Sequence, residues 1–193
     1  MSIPGFVIFN FMIYAIINAF TPGPGNFLAL NTVTNYGLKR GKPLFFGIFA
    51  GYYFVQTSCC VFVYALGSLL PQFLAVMKYI GAAYILWLAI HIGISKPGKA
   101  GDEKSASFWK GFALQFVNVK IYLFGITALT GFITDYSRVF PVLFLFEMII
   151  ATVGTIATAT WIGLGMMIQT FYEKHFRIMA LTLLECIYSI LVS

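Results

Sequence analysis

The chain is 193 residues long, 60% hydrophobic and only 9% charged, against about 25% charge in ordinary soluble domains. That balance excludes a soluble globular domain and points to an integral membrane protein built as one helical bundle, with no appended soluble domain. The formal charge of +6 would suggest a nucleic-acid partner on a soluble surface, but here the cations sit between apolar runs and read as topology signals.

A membrane span needs about 20 apolar residues. The first run, 3–20, has no basic stretch before Ile3 and no small-residue cleavage site after Phe20, so it reads as a retained helix rather than a signal peptide. It runs into Thr21-Pro22-Gly23-Pro24-Gly25-Asn26. Proline lacks a backbone N–H and clashes with the preceding turn, and glycine weakens a helix, so a break is expected here. Irregular backbone at membrane depth is tolerated only where protein buries it or a watery cavity hydrates it. Residues 27–36 continue as a short helical extension. Taken as one straight helix, 3–36 would be ~50 Å long, too long for a single crossing.

The next spans are expected over 44–70, 73–94, 108–134, 141–169 and 178–192. Gly47 and Gly51 form a GxxxG step suited to close helix packing. Lys39, Arg40 and Lys42 mark the first loop, 95–107 forms the long hydrophilic loop, and Tyr172-Glu173-Lys174-His175 reads as the connector before the sixth span. Six spans put both termini on one side. Lys39, Arg40, Lys42, Lys96, Lys99, Lys104, Lys110, Lys174 and Arg177 then share one face, while Arg138 and a snorkelling Lys78 share the other. The positive-inside rule places the richer face in the cytoplasm and both termini outside, and it accounts for the basic residues without nucleic acid.

Polar residues within the apolar runs are the candidate site. Lys120 lies twelve residues past Phe108, ~18 Å along a helix and near the bilayer midplane. A lysine there costs ~2.5–3.5 kcal/mol on insertion scales, so it must pair or face a cavity. The plainer alternative is a structural lysine tied to carbonyls freed by a helix irregularity. Gln115 and Asn118 share a helix face and accompany it. With Pro22, Gly23, Pro24 and Asn26 they form the expected substrate site, with Lys120 meeting a carboxylate. Glu147 and Glu185, each ~12 Å from a helix end, are candidates for carrying a proton. The first helix of each triplet holds the unusual residues. This is the layout of an all-α, six-helix, 3+3 inverted-repeat transporter with a broken first helix.

Four stretches, TPGPGNFLAL (21–30), YGLKRG (36–41), KYIGAAYILWLA (78–89) and FWKGFALQFVNVK (108–120), resemble the LysE/RhtB family of amino-acid exporters. The last is most similar to the branch exporting cysteine and O-acetylserine. Many members of that family carry Asn-Pro-Lys where this chain has Asn118-Val119-Lys120, so these residues alone do not call for a sharp kink. Glu147 and Glu185 lie outside the motifs that carry the resemblance. The resemblance implies efflux of small neutral amino acids across a bacterial cytoplasmic membrane. It also implies coupling to an ion gradient, read as proton antiport. Apart from the resemblance, neither a cofactor nor a metal is expected, and a homo-oligomer is left open.

Two other classes compete. A membrane thiol–disulfide conduit needs cysteines that can approach each other. Cys59 and Cys60 are neighbours in one apolar run and Cys186 is in another, which reads as small buried residues. An intramembrane enzyme would need an element such as HExxH or GxSxG, and neither occurs.

Overall fold

A computed structural model of the chain describes residues 3–65, scattered positions between 72 and 90, and residues 106–192, with side chains described as far as residue 168. Most of the third expected span, the hydrophilic loop as far as residue 105, Lys78, and the side chains of Glu185 and Cys186 lie outside the described residues. The described elements are α1 (Gly5–Phe20), α2 (Pro24–Ala65), α3 (Phe108–Val117), α4 (Val119–Ala128), a π-helical turn (Leu129–Ile133) and α5 (Phe140–Val192). No strand occurs among the described residues.

The first break is shorter than the stretch of prolines and glycines suggests. Only Thr21, Pro22 and Gly23 stand outside the helices, and Pro24 heads α2. Proline suits the first helical position, where its fixed φ is preorganised and its missing N–H is no loss. A second interruption falls at Gly37, with φ 73° and ψ 168°. That positive φ is open to glycine without steric penalty. It divides α2 into pieces 24–36 and 38–65. The loop expected at Lys39–Lys42 thus shrinks to one glycine, because the leucine, lysines and arginine after it are good helix formers.

The fourth expected span is also broken. α3 and the helical stretch 119–133 meet at Asn118 with a bend of 57°. The bend forms without the proline: Asn118 leaves helical geometry (φ −82°, ψ 88°), its N–H donates to the Gln115 carbonyl at 3.3 Å, and Ile121 restarts the helix on the Asn118 carbonyl at 3.1 Å. In α5 helical backbone continues through 172–175, where a connector was expected. No proline or glycine follows Gly165, and charged residues alone do not stop a helix.

Bare glycines bring α2 and α3 together. A methyl group on Gly47 would overlap the Phe108 carbonyl, one on Gly111 would overlap the Leu44 carbonyl, and one on Gly51 would sit 2.9 Å from the Phe112 oxygen. The two backbones touch through these positions, as in small-residue membrane packing. Below them Phe11, Val55, Phe124 and Ile150 join α1, α2, α4 and α5 in one apolar core, where the Phe11 and Phe146 rings meet edge-on at 4.9 Å.

The outer surface is apolar as well. On α1, Phe6, Phe9 and Ile17 are 64%, 65% and 62% exposed. Such a surface is at home in lipid. Among the described residues, two helical stretches are long and apolar enough to cross a membrane, Pro24–Ala65 and Phe140–Ile168, and the bent pair α3–α4 adds a third if counted as one span. The described residues are all-helical, and the protein is a multi-pass membrane protein.

Candidate functional site

The break after α1 frees the last carbonyls of that helix, and three other helices supply their donors. The Asn26 amide of α2 donates to the Ala19 and Thr21 carbonyls at 3.2 and 3.3 Å. The Trp161 indole of α5 donates to the Phe20 carbonyl at 3.3 Å. Lys120 of α4 donates through Nζ to the Thr21 carbonyl. A cation at a helix C-terminus also meets the negative end of the helix dipole. Asn26 Oδ1 in turn accepts from Thr158 Oγ1 of α5 at 2.8 Å. Asn26 thus ties α1, α2 and α5 together across the break.

The second break faces the first. A methyl group on Gly23 would lie 2.8 Å from Lys120 Cδ, and one on Gly25 would lie 3.2 Å from Gln115 Nε2. The two glycines let the lysine stem and the glutamine amide pass close to the first break, a role that a close backbone approach reserves for glycine. Asn118 Nδ2 reaches toward Gln115 Oε1 at 3.4 Å. Gln115 Nε2 and Asn118 Oδ1 are buried and have no hydrogen-bond partner among the described residues.

Gly23, Asn26, Gln115, Asn118 and Lys120 line one cavity, whose remaining wall includes Tyr52 and Thr158. Its volume is about 10 Å³, which holds roughly one water molecule and no amino acid. In this conformation the cavity has no room for an amino acid. Lys120 is half-buried, and its stem crosses the gap between the breaks.

Of the residues singled out from the sequence, five thus converge on this cavity. Pro22 and Pro24 frame the first break without lining it. Glu147 is fully buried on α5 and is not among the cavity's lining residues. Tyr52, Thr158 and Trp161 were not singled out. They are ordinary polar and aromatic residues within helical sequence, and only the packing of α2 and α5 against the breaks brings them here. Cys59 and Cys60 are free and buried in the core.

Broken helices that enclose a polar cavity inside a multi-pass bundle define a membrane translocator. The family model of the LysE type translocator matches residues 16–182. A cysteine/O-acetylserine efflux protein of Klebsiella pneumoniae is 38% identical over 168 residues, covering 86% of each chain. Its namesake in Escherichia coli strain K12 is 34% identical over 181 residues, 91% of this chain and 93% of that one. No solved structure matches. The chain belongs to the LysE type translocator family, and it is a transporter rather than an enzyme.

Proposed function

We propose that the protein exports small neutral amino acids, cysteine and O-acetylserine foremost, through the cavity between the two helix breaks, by exchange for protons. The observation that carries this reading is the convergence of Lys120, Gln115 and Asn118 on the broken end of α1. The two breaks offer opposite poles. The α1 C-terminus presents carbonyls suited to an ammonium group, and the α2 N-terminus presents N–H groups suited to a carboxylate. A zwitterion fits that pair of poles.

Lys120 occupies the Thr21 carbonyl in this conformation. A substrate ammonium would take that carbonyl over, and the released lysine would meet the substrate carboxylate. Gln115 Nε2 adds a donor and Asn118 Oδ1 an acceptor, both unsatisfied now and therefore available. Charge is exchanged rather than created, so the site can both bind and release its cargo.

The names of the Klebsiella and Escherichia relatives favour cysteine and O-acetylserine as cargo. The thiol–disulfide alternative gains no support, since Cys59 and Cys60 are buried neighbours in the core. Around the site we place six spans in two inverted triplets, in a bacterial cytoplasmic membrane with both termini outside; this requires the chain to turn near 172–175, where the backbone of α5 is continuous helix. The piece 24–36 is ~20 Å long, short of a ~30 Å hydrocarbon core, and acts as a half-inserted segment. A homo-oligomer is compatible with the exposed apolar faces. The direct test loads vesicles with labelled cysteine or O-acetylserine and follows efflux with and without an imposed proton gradient. Efflux that ignores protein incorporation would refute the transport reading, and efflux that ignores the gradient would refute the antiport.

A further inference from the structure

Glu147 and Gln56 are each 0% exposed, and all the polar atoms at the ends of their side chains lack a hydrogen-bond partner among the described residues. They come from different helices, α5 and α2, and meet over Gly125 of α4. A methyl group at Gly125 would overlap Gln56 Oε1 and would lie 2.9 and 3.0 Å from the two Glu147 oxygens. Three acceptor oxygens therefore converge on one bare Cα. An ionised carboxylate in such a dry place is very costly without a paired cation. A protonated one becomes a donor and can bond to a neighbouring amide oxygen. Among the described residues, the other titratable groups around it are Tyr14 on α1 and Tyr52, Cys59 and Cys60 on α2, none of which brings a positive charge. Lys120, also on α4, is engaged at the Thr21 carbonyl.

We infer that Glu147, held against Gln56 over Gly125, is a proton-carrying site separate from the amino-acid cavity. The assignment rests on the antiport reading above. Gly125 lies five residues past Lys120, ~7.5 Å along α4. Tyr52 belongs to both neighbourhoods. It lines the cavity, precedes Gln56 by one helical turn, and stands in the notch left by Gly154, where a methyl group would lie 2.6 Å from its hydroxyl. An amino acid entering the cavity must move the Tyr52 wall, and that movement opens the seam around Glu147. With the protein open to the outside and the cargo gone, Glu147 takes a proton from external water and its O–H bond forms. With the protein open to the cytoplasm, entry of the next amino acid opens the seam, that bond breaks, and the proton passes to water. Proton entry and amino-acid exit then alternate. A sodium ion is the weaker occupant, because one carboxylate and one amide supply too few oxygens and helical hydrogen bonds occupy the nearby carbonyls.

The test uses the full-length protein in vesicles and reads two rates: cysteine counterflow without a gradient, and the ratio of efflux with and without an inward proton gradient. Glu147→Gln keeps the shape and removes the titration. Counterflow is expected to persist while the ratio falls to unity, and adding cysteine to the purified variant in detergent should no longer release protons into weakly buffered solution. A Glu147→Gln protein that keeps the wild-type ratio overturns the assignment, and so does an inserted variant that loses counterflow. If that variant does not insert, Glu147→Asp decides: a shifted pH midpoint for stimulation supports the assignment, and an unchanged midpoint overturns it. Wild-type vesicles with counterflow but no response to the gradient would overturn proton coupling and this site with it. Wild-type vesicles without counterflow would overturn the substrate reading instead.

Discussion

The two helix breaks do the same work by different means. At Thr21–Gly23 the residue types themselves interrupt the helix, since proline cannot bond back and glycine resists ordering. At Asn118 no residue forbids a helix, and a valine stands beside it. There the bend of 57° is held by what surrounds it: the glycine contacts that press α3 onto α2, and the hold of Lys120 on the Thr21 carbonyl. One break is built into local chain chemistry and the other depends on tertiary packing. The first should persist when partners are removed, and the second should respond to them.

Lys120→Met gives the largest expected effect. It removes the link between the breaks and the charge proposed to meet the substrate carboxylate. Insertion should be at least equal to wild type, because a buried-charge cost of ~2.5–3.5 kcal/mol disappears. Efflux should fall to that of empty vesicles. Normal efflux from the methionine variant would make Lys120 a structural lysine that merely satisfies a freed carbonyl.

Pro22→Ala combined with Pro24→Ala comes next and attacks the first break alone. Alanine favours helix by about 3 kcal/mol over proline in a helix interior. α1 would then tend to run on toward α2, the Phe20 and Thr21 carbonyls would turn to their own helix, and export should be lost while some protein still inserts. Export unchanged in this double variant, measured on the inserted fraction, would show that the break is not where substrate binds.

The contrast also explains what could be read in advance. Pro22, Gly23 and Lys120 stand out in any apolar run because each is costly there without a reason, and the helical class follows from composition. Gln56 is as conspicuous in its apolar run as Gln115, yet it was not singled out. Tyr52 and Thr158 do not stand out, because a tyrosine or a threonine is unremarkable in a membrane helix until its neighbours are known. Gly125 is equally mute, since its meaning lies in the oxygens that approach it from two other helices. The bend at Asn118 belongs to the same class. Its cause is tertiary, and the missing proline points the wrong way. Pro24 misleads in the opposite direction, because the residue that signals a break serves as the first residue of the next helix.

Gly23→Ala sharpens the comparison with a smaller effect. The added methyl would press on Lys120 Cδ, the middle of a flexible stem, so the lysine can shift rather than unfold the site. Efflux should weaken by about ten-fold, equivalent to ~1.4 kcal/mol in the barrier. Thermal stability of the purified protein should barely change. A loss as complete as that of Lys120→Met, in a protein of unchanged stability, would mean that the lysine tolerates no displacement at all.

Val119→Pro should have the smallest effect, and it tests the packing-held break most directly. Val119 is the first residue of α4, with Asn118 as its cap. Proline is favoured at that position because the N–H it lacks has no partner within the helix. Proline also disfavours the α region for the residue before it, and Asn118 has already left that region at ψ 88°. The substitution therefore asks for a geometry the chain adopts without it. By restricting the unfolded chain it should raise stability by ~0.4–1 kcal/mol, offset in part by the loss of a buried valine side chain. Efflux should stay near wild type, and the variant should rescue some activity in a background where the α2–α3 contact is weakened, such as Gly51→Ala. A strongly inactive Val119→Pro protein that inserts normally would show instead that the bend must change its angle during transport.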